Sequence, residues 1–134
     1  MSCRGILIVE DDADIRMNLS QALQMEGYTT HQARDGIEAL AVLAGLSDDQ
    51  LPSCILLDIQ MPRMTGDEFY RELQTQHADT WAKIPIIVAT AKDSPMSPSQ
   101  IPCAVERIQK PMDLDELFRV VEKHCGKPET KTAP

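Results

Sequence analysis

The chain has 134 residues, enough for one domain with a core of its own. Its net charge of −8 argues against binding to nucleic acid, because phosphate contacts need a basic face. It has neither an apolar segment of the roughly 20 residues that span a membrane nor a signal peptide, so we expect a cytoplasmic protein without membrane contact. The four cysteines form no CxxC pair, so we expect free thiols, with Cys54 buried.

Five segments have the composition of β-strands. Uninterrupted apolar runs at residues 6–9, 54–57 and 85–89 are typical of strands that are buried on both faces of a parallel sheet, and the second run ends at Asp58. Residues 28–33 and 105–109 are weaker strand segments, the former with two β-branched threonines. All five are short enough to be strands and are separated by polar or helix-forming stretches.

Helices are predicted between and after these strands. They begin near residue 13 and near residue 37, and two more span about 66–77 and 113–125. Asp12 and Asp35 are predicted to cap the first two helices. Helical spacing puts one face of the first helix at Ile15, Leu19, Ala22, Leu23 and Glu26, and this face is apolar until its last turn. The predicted buried stripe of the second helix is Ile37, Leu40, Ala41 and Ala44, and one face of the last helix carries Leu114, Leu117, Phe118 and Val121.

Alternating strands and helices predict an α/β domain with a five-stranded parallel sheet and helices on both faces. We place this domain at residues 1–126 and predict a disordered tail at 127–134. In such sheets, ligands bind at the carboxyl ends of the strands. The polar residues that follow strands are Glu10, Asp11, Asp58, Thr90 and Lys110. An isolated Asp58 would merely end a strand, but the convergence of all five residues indicates a functional site.

The chemistry of these residues favours phosphoryl transfer. Three carboxylates at one edge repel one another, and Mg²⁺ typically takes one or two carboxylates plus waters. Lys110 adds a positive charge and Thr90 a hydroxyl donor, while Ala91 leaves space and a backbone N–H. An aspartate can act as the nucleophile toward phosphorus, with catalysis by alignment and charge neutralisation. We therefore predict a pocket that holds a phosphoryl group against Asp58.

These features resemble the response-regulator receiver domain of two-component phosphorelays, the CheY-like domain. The resemblance covers about residues 4–125 and depends on four segments: 6–12, 58–66, 89–91 and 110–111. It implies a flavodoxin-like, doubly wound fold with strand order 2-1-3-4-5. It also implies that the Lys110–Pro111 bond is cis.

The resemblance also implies the role of each site residue. Asp58 would accept the phosphoryl group from a phosphohistidine, and Thr90 and Lys110 would contact the phosphoryl oxygens. The implied Mg²⁺ ligands are the side chains of Glu10, Asp11 and Asp58 and the backbone carbonyl of Gln60. The partners would be a histidine kinase or histidine phosphotransfer protein and an unknown downstream protein. The domain would catalyse only its own phosphorylation and dephosphorylation, and would therefore not be an enzyme acting on other substrates.

Two features depart from the family pattern. Arg107 stands where the family usually has an aromatic residue that turns inward on activation, and we expect it to stay exposed or to pair with a carboxylate. Three prolines between Asp93 and Cys103 predict a shortened or irregular fourth helix. We therefore expect residues 93–109 to be comparatively mobile and not to switch in the usual receiver manner.

Three other interpretations remain open at this point. The same residues suit a receiver that is a fragment of a hybrid histidine kinase. An aspartyl-phosphate phosphatase of the haloacid-dehalogenase type needs a second aspartate two residues after the nucleophile, where this chain has Gln60. An inert pseudo-receiver used as a scaffold would not need the complete set of pocket residues.

Overall fold

The structure is a computed structural model that describes residues 2–58, 68, 69, 71, 72, 75, 81–90, 104–109 and 113–128. Its strands are β1 (Ser2–Cys3), β2 (Ile6–Val9), β3 (Thr30–Ala33), β4 (Cys54–Asp58), β5 (Ile86–Thr90), β6 (Ala104–Gln109) and β7 (Lys127–Pro128). Strands β2 to β6 form one parallel sheet in the order β3-β2-β4-β5-β6. Counted along the chain, this is the predicted order 2-1-3-4-5, so the flavodoxin-like topology is confirmed.

The helices begin at side-chain caps. The described α-helices are α1 (Ala13–Met25), α2 (Gly36–Ala44) and a C-terminal helix (Leu114–Cys125). Helical residues also occur among 68–75, and short 3₁₀ turns lie at Asp48–Gln50 and Trp81–Lys83. Asp12 Oδ1 accepts from two backbone N–H groups of the first turn of α1, and Asp35 Oδ1 accepts from Glu38 N. Both predicted caps are confirmed. In the described part of the chain, no helix is long and apolar enough to cross a membrane.

The core lies on both faces of the sheet. Alternate strand residues such as Leu7 and Ile55 join a cluster with Leu43 of α2 and the helical residue Phe69. Their neighbours along the strands, among them Ile8, join a second cluster, to which α1 and the C-terminal helix contribute. That cluster includes Leu19, Leu23, Leu117 and Val121. Because successive side chains of a strand point to opposite faces, one apolar run supplies both clusters.

Part of the helix-face prediction is wrong. In α2 the buried residues are Gly36, Ala39 and Leu43, whereas Ile37 is 45% exposed. Exposed positions also include Ile15, Ala41, Ala44 and Leu114 of the predicted apolar faces. Almost every residue of α2 is apolar, so its sequence gives little contrast by which helical spacing selects a face.

The expectation of four free thiols is also wrong, because a disulfide joins Cys54 and Cys125. The last turn of the C-terminal helix packs against the start of β4, and the two Cα atoms are 5.9 Å apart. This distance falls within the roughly 4.4–6.8 Å that a disulfide spans. The two cysteines are 71 residues apart in the sequence, which gave no sign of the pairing. The predicted burial of Cys54 is confirmed.

The two ends of the domain meet. β1 pairs with β7 in parallel register, and the hydroxyl of Tyr28 donates to the carbonyl of Gly126 at 3.1 Å. Lys127 and Pro128, predicted to begin the disordered tail, therefore form a strand instead. Some predictions fall outside the described residues: the tail at 129–134, the fourth-helix region at 93–103, the Lys110–Pro111 bond and the side chain of Arg107.

Candidate functional site

The candidate site lies where β2 and β4 end. Val9 pairs with Leu57 in the parallel sheet, so the next residues, Glu10 and Asp58, lie level with each other at the carboxyl edge. Asp58 is also the register partner of Ala89 in β5. The side chains of Glu10 and Asp58 are 2% and 5% exposed. Strand register therefore brings two buried acidic residues together from distant parts of the sequence.

Asp11 completes an acidic cluster with these two residues. One carboxylate oxygen each from Glu10, Asp11 and Asp58 lies within 4.8 Å of the others, and Asp11 is exposed to solvent. Like charges at this distance repel one another, and a bound cation removes the repulsion. Carboxylate oxygens are the ligands that Mg²⁺ prefers, and the ion commonly retains several waters. Two buried carboxylates and one on the solvent side therefore fit the Mg²⁺ that the sequence implies.

Glu10 is held by hydrogen bonds at three of its own atoms. Its Oε2 accepts from Asp12 N at 3.2 Å, and its backbone N donates to Ala33 O at 3.0 Å. Its carbonyl oxygen accepts from Arg16 Nη1 at 2.9 Å. The carboxylate of Asp12 caps α1, which agrees with its predicted role as a cap rather than a further ligand.

The ends of β5 and β6 lie beside each other at the same edge. Thr90 is the last residue of β5, and its register partner Gln109 is the last residue of β6. This places the backbone of Thr90 next to the point from which the chain continues to Lys110. The other predicted site groups lie outside the described residues: Gln60, Ala91, Lys110 and the side chain of Thr90.

Arg16 is a further residue at this site, and the sequence pattern did not single it out. Its side chain spans from α1 to the carbonyl of Glu10, and its Nε lies 3.4 Å from Gln32 Oε1 on β3. An arginine in the first two turns of the helix that follows an acidic strand end is the signal that was available. Helical side chains lean toward the helix N-terminus, which here faces the acidic cluster.

Comparison with known proteins agrees with this geometry. The family model for the response regulator receiver domain matches residues 6–122. The chain belongs to the response-regulator receiver family. Response regulator MprA of Mycobacterium ulcerans is 42% identical over 94 residues, which cover 70% of this receiver and 37% of that protein. MprA of Mycobacterium bovis is 40% identical over 94 residues, with the same coverage of 70% and 37%. The chain thus spans little more than a third of the length of these curated relatives.

Solved structures show the same receiver fold. Chemotaxis protein CheY4 of Vibrio cholerae superimposes with a TM-score of 0.78 at 29% identity, covering 92% of this receiver and 98% of CheY4. NtrX of Brucella abortus gives a TM-score of 0.78 at 29% identity, covering 93% of this receiver but 27% of NtrX. The fold therefore occurs both as nearly a whole chain and as part of a longer one. The predicted resemblance to CheY-like receivers is confirmed.

Proposed function

We propose that this receiver takes a phosphoryl group onto the carboxylate of Asp58 in a Mg²⁺-dependent reaction. The donor is the phosphohistidine of a histidine kinase or histidine phosphotransfer protein. One observation carries the proposal: the carboxylate oxygens of Glu10, Asp11 and Asp58 lie within 4.8 Å of one another at the carboxyl edge of the sheet. In a purely structural site three such charges only repel one another, whereas a bound cation offsets the repulsion and assists phosphoryl transfer.

In the proposed step, a carboxylate oxygen of Asp58 forms a bond to phosphorus while the bond from phosphorus to the donor's histidine nitrogen breaks. The nitrogen keeps the electron pair, and the donor ring, which carries a proton on its other nitrogen, leaves as neutral imidazole. Asp58 is 5% exposed, so few waters compete with the donor for its oxygens. Glu10 and Asp11 would hold the cation together with Asp58. When bound, Mg²⁺ neutralises the negative charge of the phosphoryl oxygens.

The remaining pocket groups are assigned by matching the family's motifs. By this match, Thr90 and Lys110 would contact the phosphoryl oxygens, Ala91 would provide space and a backbone N–H, and the carbonyl of Gln60 would be a ligand of the cation. The register of Thr90 against Gln109 supports this assignment, because it sets the ends of β5 and β6 side by side. A cationic ammonium opposite the acidic cluster would counter charge that builds up during transfer.

The proposed role in the cell is signal transduction in the cytoplasm. Phosphorylation of Asp58 would control binding to a downstream protein, whether the receiver acts alone or as a fragment of a hybrid histidine kinase. The net charge of −8 disfavours direct contact of this domain with nucleic acid. The receiver would catalyse only its own phosphorylation and dephosphorylation.

Incubation with phosphoramidate, a small donor with a phosphorus–nitrogen bond, followed by intact mass spectrometry tests the proposal. We expect the mass of one phosphoryl group to be added in Mg²⁺ and not in EDTA. Asp58→Asn should abolish the addition, whereas Asp49→Asn should not, because Asp49 lies in the turn ahead of the amino end of β4. Undiminished phosphorylation of Asp58→Asn would refute the assignment.

A further inference from the structure

We propose that Arg16 is a positioning residue for the acidic site, holding the backbone of Glu10 so that the three carboxylates are arranged for Mg²⁺ before the ion binds. This inference rests on the proposed function, since it assigns a role within that same site. Arg16 is not itself a ligand, and its effect passes through Glu10.

Arg16 contacts the backbone of Glu10 at the end of β2. Glu10 directly follows β2, and its backbone N donates to Ala33 O, so its amide is held by the neighbouring strand. Its carbonyl oxygen instead accepts from Arg16 Nη1 at 2.9 Å. A hydrogen bond from a charged donor is shorter and stronger than one between neutral groups. The guanidinium therefore fixes the peptide unit that joins Glu10 to Asp11.

The guanidinium of Arg16 is itself held in place by a side chain of β3. Arg16 Nε lies 3.4 Å from Gln32 Oε1, and Gln32 Nε2 donates to Ser20 Oγ at 3.3 Å. The buried hydroxyl of Ser20 also lies 2.7 Å from Thr30 Oγ1. The planar fork of arginine can make both contacts at once, which a lysine ammonium on a flexible stem does less well. Glu10 is thereby linked to α1 and β3 through side chains.

A positioning role and a purely electrostatic role of Arg16 predict opposite changes in Mg²⁺ affinity. Arg16 carries a positive charge near a site for a cation, so Coulomb's law alone predicts that removing it strengthens Mg²⁺ binding. Positioning predicts the opposite sign, because ligands that are not preorganised bind the ion more weakly. A purely structural role would lower the melting temperature without weakening the binding of Mg²⁺. The direction of the change in affinity therefore distinguishes the three roles.

The experiment is calorimetric titration of the purified chain with Mg²⁺, without phosphodonor and at fixed ionic strength. Arg16→Met keeps the apolar stem and should weaken binding about tenfold, as loss of groups that orient metal ligands typically does. Gln32→Leu leaves the charge unchanged and should weaken binding in the same direction by a smaller factor. Arg16→Lys keeps the charge and one donor and should restore part of the affinity.

Arg34→Met is the matched control. Arg34 directly follows β3 at the same edge of the sheet, and its exposed guanidinium pairs with Glu38 at 3.3 Å. Its loss removes the same charge without disturbing Glu10, so Mg²⁺ affinity should stay equal or rise. Arg16→Met that binds Mg²⁺ as tightly as wild type, or more tightly, would overturn the inference. If Arg16→Met does not fold, the other two variants provide the test. Equal Mg²⁺ affinities of Gln32→Leu, Arg16→Lys and wild type would then overturn the positioning role of Arg16.

Phosphoramidate treatment of the same samples separates the two proposals. If the wild type binds Mg²⁺ but takes no phosphoryl group while Arg16→Met binds Mg²⁺ more weakly, the positioning role stands and the proposed function fails. If the wild type is phosphorylated and Arg16→Met binds Mg²⁺ normally, only the positioning role fails. A wild-type chain that binds no Mg²⁺ would overturn both.

Discussion

Glu10 and Asp58 end neighbouring parallel strands at the same level, and their carboxylate oxygens approach within 4.8 Å. The pairing of Val9 with Leu57 fixes this arrangement, because a one-residue slip of either strand would turn its side chain to the other face. The apolar core on both faces of the sheet holds the register. The stability of the fold thus maintains two like charges in a position that they would not adopt alone.

Asp58→Asn should stabilise the metal-free protein. The substitution removes one of three mutually repelling charges, and because Glu10 and Asp58 are buried the repulsion should exceed the roughly 1 kcal/mol expected at about 4 Å in bulk water. Urea unfolding in EDTA measures this, with Glu122→Gln on the exposed side of the C-terminal helix as the control for lost charge. A lower unfolding midpoint for Asp58→Asn than for wild type would contradict the account of clustered charge.

Asp11→Ala should weaken Mg²⁺ binding more than any neighbouring substitution. Its carboxylate is exposed and belongs to the cluster, so we expect it to touch the ion directly. The adjacent Asp12→Ala is the control, since Asp12 caps α1 and its loss should cost about 1 kcal/mol of stability with little change in affinity. Calorimetric titration with Mg²⁺ measures these affinities. Equal Mg²⁺ affinities of Asp11→Ala and wild type would show that Asp11 is not a ligand of the ion.

Reduction of the Cys54–Cys125 disulfide should destabilise the domain. The bond closes a loop of 71 residues, and loop-closure entropy gives an upper value of about 4 kcal/mol for its contribution. Cys125→Ser should lower the urea midpoint in the absence of reductant, and adding reductant to this variant should change its midpoint no further. Identical unfolding curves for the oxidised and reduced wild type would contradict this expectation.

Stability should fall in acid partly through His31. Its side chain lines a cavity of about 350 Å³ with Arg4 and Asp49, and burial lowers the pKa of the imidazole below its ordinary value. The unfolded chain therefore binds the proton more readily, so stability is lost as the pH falls below about 6.5, the unfolded pKa, and the loss is complete below the folded pKa.

His31→Gln tests this pH dependence, with His124→Gln as the control for loss of an imidazole elsewhere. The free energy of unfolding is measured from urea curves at several pH values between 5 and 8. The stability difference between wild type and His31→Gln should shift against wild type as the pH falls. A difference that does not change with pH would show that burial of His31 contributes nothing to acid sensitivity.

Most of the fold followed from the strand pattern. The apolar runs of β2, β4 and β5 mark strands that are buried on both faces, and their alternation with helices gives the parallel topology. The acidic cluster was predictable for the same reason, since parallel strands share a carboxyl edge. The caps at Asp12 and Asp35 were predictable from the residue type alone, because an aspartate before a helix readily accepts hydrogen bonds from the backbone N–H groups of the first turn.

The features that sequence reasoning missed depend on packing across the molecule. The buried face of α2 is set by the sheet beneath it, since its own apolar residues do not single out a face. The Cys54–Cys125 bond needs a contact between residues far apart in the sequence. The position of Arg16 early in α1 was visible in the sequence, but its contact with the Glu10 carbonyl depends on one side-chain conformation, which no spacing rule specifies.

The most direct measurement of the central claim locates the phosphoryl group on the chain. Protein treated with phosphoramidate and Mg²⁺ is reduced with borohydride, which converts an aspartyl phosphate to homoserine, and is then digested and sequenced by tandem mass spectrometry. The account predicts homoserine at position 58, and none there when EDTA replaces Mg²⁺. Conversion at another aspartate, or at none while the intact mass shows an added phosphoryl group, would contradict it.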